Sequence, residues 1–164
     1  MEARIADLIA AVNTNELVEL ASLLLSIPSV NPKDAADCKR MGIEPGEGRL
    51  VEELVALLKG AGIEVETKEL VPGRPNLVAR LHGPKPGPIL AFNAHTDTVG
   101  AFSMGERAFR PEIRKGALYG RGAADMKGAL ACFVLTLGIL ARHAYLQAGE
   151  VVLTAVIGEE GPPS

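Results

Sequence analysis

Two short apolar runs of strand length, PILAFNA at 88–94 and EVVLTAVI at 150–157, bracket a Gly-rich loop and a long apolar stretch, ALACFVLTLGILA at 129–141. A strand, a helix and a second strand in that order make a βαβ unit, which joins parallel strands through a right-handed crossover. The order from Ile89 to Ile157 therefore predicts an α/β fold. PILAFNA, being mostly apolar, is expected to be covered on both faces. The helix is expected over about Met126–Ala144. Its apolar stretch is shorter than the roughly 20 residues of a membrane span, so it reads as a buried helix.

Upstream, Ile5, Leu8, Ile9 and Val12 keep helical spacing, Asn13–Asn15 interrupt it, and Leu17, Leu20, Leu24 and Leu25 resume it. Two helices or one kinked helix fit. Residues 26–48, SIPSVNPKDAADCKRMGIEPGEG, are rich in Pro, Gly and charge and predict a long surface connection with a short turn of helix. A helix is expected over Gly48–Lys59, closed by Gly60 and Gly62. IEVETKELV (63–71) alternates like a half-exposed strand, and PNLVARL (75–81) pairs with it as a hairpin. Residues 110–118 read as a short excursion ending in a turn or strand.

With 164 residues and 48% hydrophobic content, the chain suffices for one domain with a core. Its 17 basic and 20 acidic residues are scattered and sum to −3, which suggests neither a nucleic-acid footprint nor a membrane-binding patch. A small-molecule or peptide partner is expected. Cys38, in a polar loop, and Cys132, at a buried helical position, give no reason to pair, which fits a reducing cytoplasm. The N-terminal MEARIADLIAAV carries Glu2, Arg4 and Asp7 among its apolar residues, unlike a secretory signal.

Chemistry concentrates where the apolar runs end. His95-Thr96-Asp97 follows the first strand; one imidazole nitrogen is free for a metal while Asp97 holds the other. Alone, the same residues read as a histidine and a turn aspartate. Asp125, in GRGAADMKG, stands before the helix, as an N-cap or as a carboxylate ligand able to bridge two ions. Glu159 and Glu160 leave the last strand pointing in different directions, as a solvated strand end or as a general base and a ligand. Two ions about 3.5 to 4 Å apart would activate a shared water and polarise a carbonyl. Elsewhere, His82 reads as a surface or packing histidine, His143 as part of a helix end, and Arg121 and Lys127 as solvated or ion-paired. GRGAADMKG lacks the spacing and Gly-Lys-Ser/Thr ending of a phosphate loop.

Together LLSIPSVNP, GRLVEELVALLKGAGIEVE, PNLVARLHG, NAHTDTV and YGRGAADMKGALA resemble the zinc-dependent aminoacylase, acetylornithine deacetylase, succinyl-diaminopimelate desuccinylase and carboxypeptidase G family. The resemblance covers nearly the whole chain. It implies a three-layer α/β/α sandwich with a mixed, mainly parallel central sheet, of which residues 1–164 would be the N-terminal part of the catalytic domain. It also implies two Zn2+ per complete site, with Co2+ or Mn2+ as substitutes, and hydrolysis of N-acyl amino acids or small peptides. His95, Asp125 and Glu160 are the implied metal ligands, with Asp125 bridging; Asp97 orients His95, and Glu159 is the implied general base.

The family pattern continues with further ligands and a lid and dimerisation domain, so the 164-residue chain alone is expected to be inactive. A homodimer is implied for the full-length enzyme, and an exposed apolar edge and face with self-association or partial disorder for this chain. Where the family often has Asp before the Glu pair, this chain has Gly158, and a changed local hydrogen bond is expected. An N-carbamoyl amino acid amidase is the alternative, though Pro162-Pro163-Ser164 does not match its usual Arg-Phe. A non-catalytic scaffold or subunit is another.

Overall fold

Asn13 divides the N-terminal apolar stretch into α1 (Glu2–Ala10) and α2 (Thr14–Ser26) by accepting the backbone N–H groups of Asn15 and Glu16 at 2.9 and 3.4 Å. The computed structural model describes the backbone of residues 2–161 and the side chains of 5–161. Pro162–Ser164 and the Glu2 and Arg4 side chains, used in the sequence arguments above, lie outside the described residues. After a 3-10 turn at Pro32–Asp34 come α3 (Ala35–Met41) and α4 (Gly48–Gly60). The i, i+3, i+4 spacing of Leu50, Val51, Leu54 and Leu58 buries one side of α4. The strands are β1 (Glu64–Val71), β2 (Arg74–His82), β3 (Ile89–His95), β4 (Glu112–Arg114), β5 (Ala117–Tyr119) and β6 (Glu150–Val156), with α5 (Gly128–Arg142) before the last.

The main sheet runs β1-β2-β6-β3. β3 lies parallel to β6, from Ile89 opposite Glu150 to His95 opposite Val156, so the βαβ unit is present. β1 and β2 form the expected hairpin, and β2 is antiparallel to β6. The α/β class and the mixed sheet follow the sequence reading. The balance differs: a tightly turned hairpin must be antiparallel, and its position beside β6 leaves one parallel pairing among the main-sheet strands described. Residues from α2, α4 and α5 share one core with Leu77, Ala79, Ala94, Val151, Leu153 and Ala155. These alternate strand positions form one sheet face. Residues between them make polar contacts, such as Arg80 with Glu150 at 3.6 Å and Thr154 with Asn93 at 2.6 Å.

Four local expectations need correction. β3 is not covered throughout: among the described strands it stands at the edge of the sheet, with Ile89 and Leu90 64% and 56% exposed. Apolar composition reports affinity for burial, not the presence of a neighbour to provide it. Residues 26–48 are not simply a surface connection, because Ser29, Val30 and Asn31 are fully buried and Val30 bridges in parallel to Thr98. Cys38 lies buried in α3, whereas Cys132 is exposed on α5. The side of α5 bearing Ala131, Val134, Leu135 and Gly138 turns inward and leaves Cys132 outside. Finally, regular helix begins at Gly128, after an irregular turn at Ala123–Lys127. Turn and helix together are long and apolar enough to cross a membrane by length and composition, but Leu130, Val134 and Leu137 belong to the sheet's core.

Candidate metal centre

His95 ends β3, and Gly158 follows the end of the parallel β6, so their exits open at the same edge of the sheet. That edge is where α/β sheets build sites. Gly158 has a φ of +76°, in the left-handed region that favours glycine, and swings Glu159 and Glu160 back across the strand ends. An aspartate in this conformation would be strained. The third element is the turn before α5, where Asp125 has extended φ and ψ of −132° and 100°. Asp125 is therefore not the N-cap of α5, and its carboxylate is 73% exposed.

All five residues singled out in the sequence meet here. His95 is 5% exposed, with Nε2 at 2.9 Å from Asp125 Oδ1 and 3.7 Å from Glu159 Oε2. One possible ligand atom from each of His95, Asp125 and Glu160 lies within 4.8 Å of the others, a grouping able to hold a metal ion. The other ring nitrogen, Nδ1, is 2.9 Å from the Asp97 main-chain oxygen and 3.5 Å from its Oδ1. The backbone carbonyl, rather than the expected carboxylate, is the closer partner of the ring. A carbonyl and an ionised carboxylate only accept, so both ring nitrogens donate in the charged ring, and Nδ1–H held on the Asp97 carbonyl leaves Nε2 as the nitrogen able to exchange its proton for a metal.

The Asp97 carboxylate is instead occupied by the turn after β6. Oδ1 accepts the Glu159 N–H at 3.2 Å; Oδ2 accepts the Glu160 N–H at 3.0 Å and the Asn31 amide at 2.7 Å. Asn31 also donates to the Gly161 carbonyl at 3.2 Å, and the Lys33 ammonium donates to that of Glu160. No motif in the sequence assigns these two residues a role. Their only signal was their presence within or beside LLSIPSVNP, since a short polar segment has no periodicity to announce burial.

The electrostatics are those of an acidic cluster around one imidazole. Burial works to lower the His95 pKa, but the hydrogen bonds to Asp125 and the Asp97 carbonyl, with the charges of Asp97 and Glu159, raise it overall. Glu160 is raised by burial first and then by the charges of Asp125 and Glu159, against His95 and Lys33. A cation among these groups would relieve that repulsion. Lys127, expected to be solvated or ion-paired, is instead 1% exposed, with its amine donating to the Leu24 and Ile27 carbonyls at 3.1 and 2.6 Å. Burial pushes its pKa down to about 7.

The family model described as peptidase family M20/M25/M40 matches residues 91–164, the segment containing all five site residues. Over that segment the chain is similar to this family. Over 151 residues it is 37% identical to the succinyl-diaminopimelate desuccinylase of Methylorubrum extorquens (strain PA1), covering 87% of this chain and 35% of that protein. The chain thus spans about a third of the length of the curated relatives it matches. Among solved structures, the aminopeptidase PepT from Bacillus cereus superposes with a TM-score of 0.69 at 22% identity, over 91% of this chain and 38% of that one. The M20 family metallo-carboxypeptidase Sso-CP2 from Sulfolobus solfataricus gives 0.67 at 20% identity, over 85% and 30%. At these identities the structures establish the fold.

Proposed function

We propose that this chain supplies part of the active site of a metal-dependent hydrolase that cleaves an amide bond in N-acyl amino acids or small peptides. The observation that carries the reading is the convergence of His95, Asp125 and Glu160 beside Glu159. An imidazole and carboxylates suit zinc, and also cobalt or manganese. His95, Asp125 and Glu160 would hold the metal, with Asp125 serving two ions in the complete site. Bound there, zinc supplies Lewis-acid polarisation of the scissile carbonyl and lowers the pKa of the attacking water.

Glu159, whose side chain is 59% exposed, faces the open side of the cluster. It takes a proton from water on its carboxylate and returns it to the departing amine. The Asp97 carbonyl keeps the His95 ring oriented. In this reading further metal ligands come from residues outside this 164-residue chain, so the isolated chain binds metal without turning over substrate. The complete enzyme works as a cytoplasmic homodimer. The desuccinylase relative makes an N-succinyl amino acid the first substrate to try with a longer protein.

Equilibrium dialysis against zinc with elemental analysis tests the metal site directly. Zinc retained by the wild-type chain and lost in His95→Ala and Asp125→Ala is the expected result. Equal retention by all three overturns it.

A further inference from the structure

The segment Ser29–Lys33 contributes no residue to the proposed metal cluster, yet it is bonded to both strand exits that form it. The Ser29 carbonyl accepts the Thr98 N–H at 2.9 Å, and the Asn31 N–H donates to the Thr98 carbonyl at 2.8 Å. Ser29 Oγ donates to the Thr96 carbonyl at 2.7 Å. On its other side, the Thr96 N–H donates to the Val156 carbonyl at 2.8 Å. Residues 29–31 therefore continue the sheet beyond β3, placing residues 96–98 between themselves and the end of β6.

From that position Asn31 reaches across. Its amide bonds both the Asp97 carboxylate and the Gly161 carbonyl, while its Oδ1 accepts the Lys33 N–H at 3.0 Å. Lys33 grips the Glu160 carbonyl, and a Cβ added to Gly161 would stand 2.5 Å from Lys33 Cδ. The turn is thus held by its amides on Asp97 and by its carbonyls on Asn31 and Lys33.

We propose that Asn31 is a positioning residue which, with Lys33 and Asp97, clasps the 159–161 turn and sets where the Glu159 and Glu160 carboxylates stand. The consequence for metal affinity rests on the metal-centre reading above; the clasp itself does not. Carboxylates on an unheld turn would sample many positions, and loss of an outer partner typically weakens metal binding about 10–100-fold.

The test uses Asn31→Asp, which keeps volume and the Lys33 cap but replaces the amide donor with a carboxylate oxygen facing Asp97. Amide hydrogen exchange at Glu159 and Glu160, taken relative to Leu153 in β6, is measured without metal, and zinc affinity by calorimetry. Exchange at both amides should rise about tenfold relative to Leu153, and zinc affinity should fall about tenfold or more. Ser29→Ala, which removes a buried hydrogen bond from the same segment, should leave both readouts within about twofold and so separates the clasp from general destabilisation. Unchanged relative exchange in a folded Asn31→Asp protein overturns the proposal. If that variant does not fold, Lys33→Met, altered at an exposed side chain, decides by the same exchange ratio at Glu160. A wild-type chain that binds no zinc sinks the metal-centre reading alone, and the exchange ratio still upholds or overturns the clasp.

Discussion

Arg74 and Glu47 form a two-pronged ion pair, with both bonds at 2.7 Å and side chains 5% and 0% exposed. The pair fastens the start of β2 to the residue preceding α4, and the Glu47 contact raises the Arg74 pKa. Removing one partner strands a charge away from water, which costs about 3–5 kcal/mol, whereas replacing both with apolar residues is often close to neutral. Arg74→Met should lower unfolding stability by that amount in urea titration, and Arg74→Met with Glu47→Leu should recover most of it. Additive losses would contradict this account.

Lys127 ties the turn carrying Asp125 to the C-terminal end of α2, which has no basic residue in its own last turn. Lys127→Ala deprives two carbonyls of their donor and opens a cavity, an expected loss of about 2–4 kcal/mol. Thermal unfolding measures it. A variant as stable as wild type would show that water replaces the amine without cost.

Thiol labelling should divide the cysteines. Cys132 is exposed, while the Cys38 thiol is buried and its pKa is raised by burial and by Asp34 and Asp37. With little thiolate and no access, Cys38 should react with a thiol-specific disulfide reagent at least about tenfold more slowly at pH 8. Equal rates would show that α3 opens readily.

The edge of β3 should govern association. Ile89 and Leu90 are exposed on a strand paired only with β6 among the described strands. Edges of this kind template pairing between chains. Sedimentation should show concentration-dependent association of the 164-residue chain, reduced by Ile89→Lys. A monomer at every concentration would refute it.

The parts of the fold visible in the sequence were those that hydrophobic runs encode. PILAFNA, ALACFVLTLGILA and EVVLTAVI became β3, most of α5 and β6, and the candidate site residues followed because they flank those runs. The parts hidden from the sequence are set by partners distant along the chain. Nothing local shows that Lys127 finds two carbonyls in α2 or its cap, that Glu47 waits for Arg74, or that Asn31 lies under Asp97. Charge and polarity argue for exposure until a buried partner is known. That β3 pairs on one side only among the described strands was equally invisible in its composition.

The bond between Asn31 and the Gly161 carbonyl spans 130 positions of sequence. Contacts separated so widely close large loops and are slow to form, so helix α4 and the β1–β2 hairpin have the shorter path to structure. The acidic turn should therefore gain its native arrangement late in folding. Removing the first 33 residues would leave every main-sheet strand in the polypeptide while taking away two of its anchors.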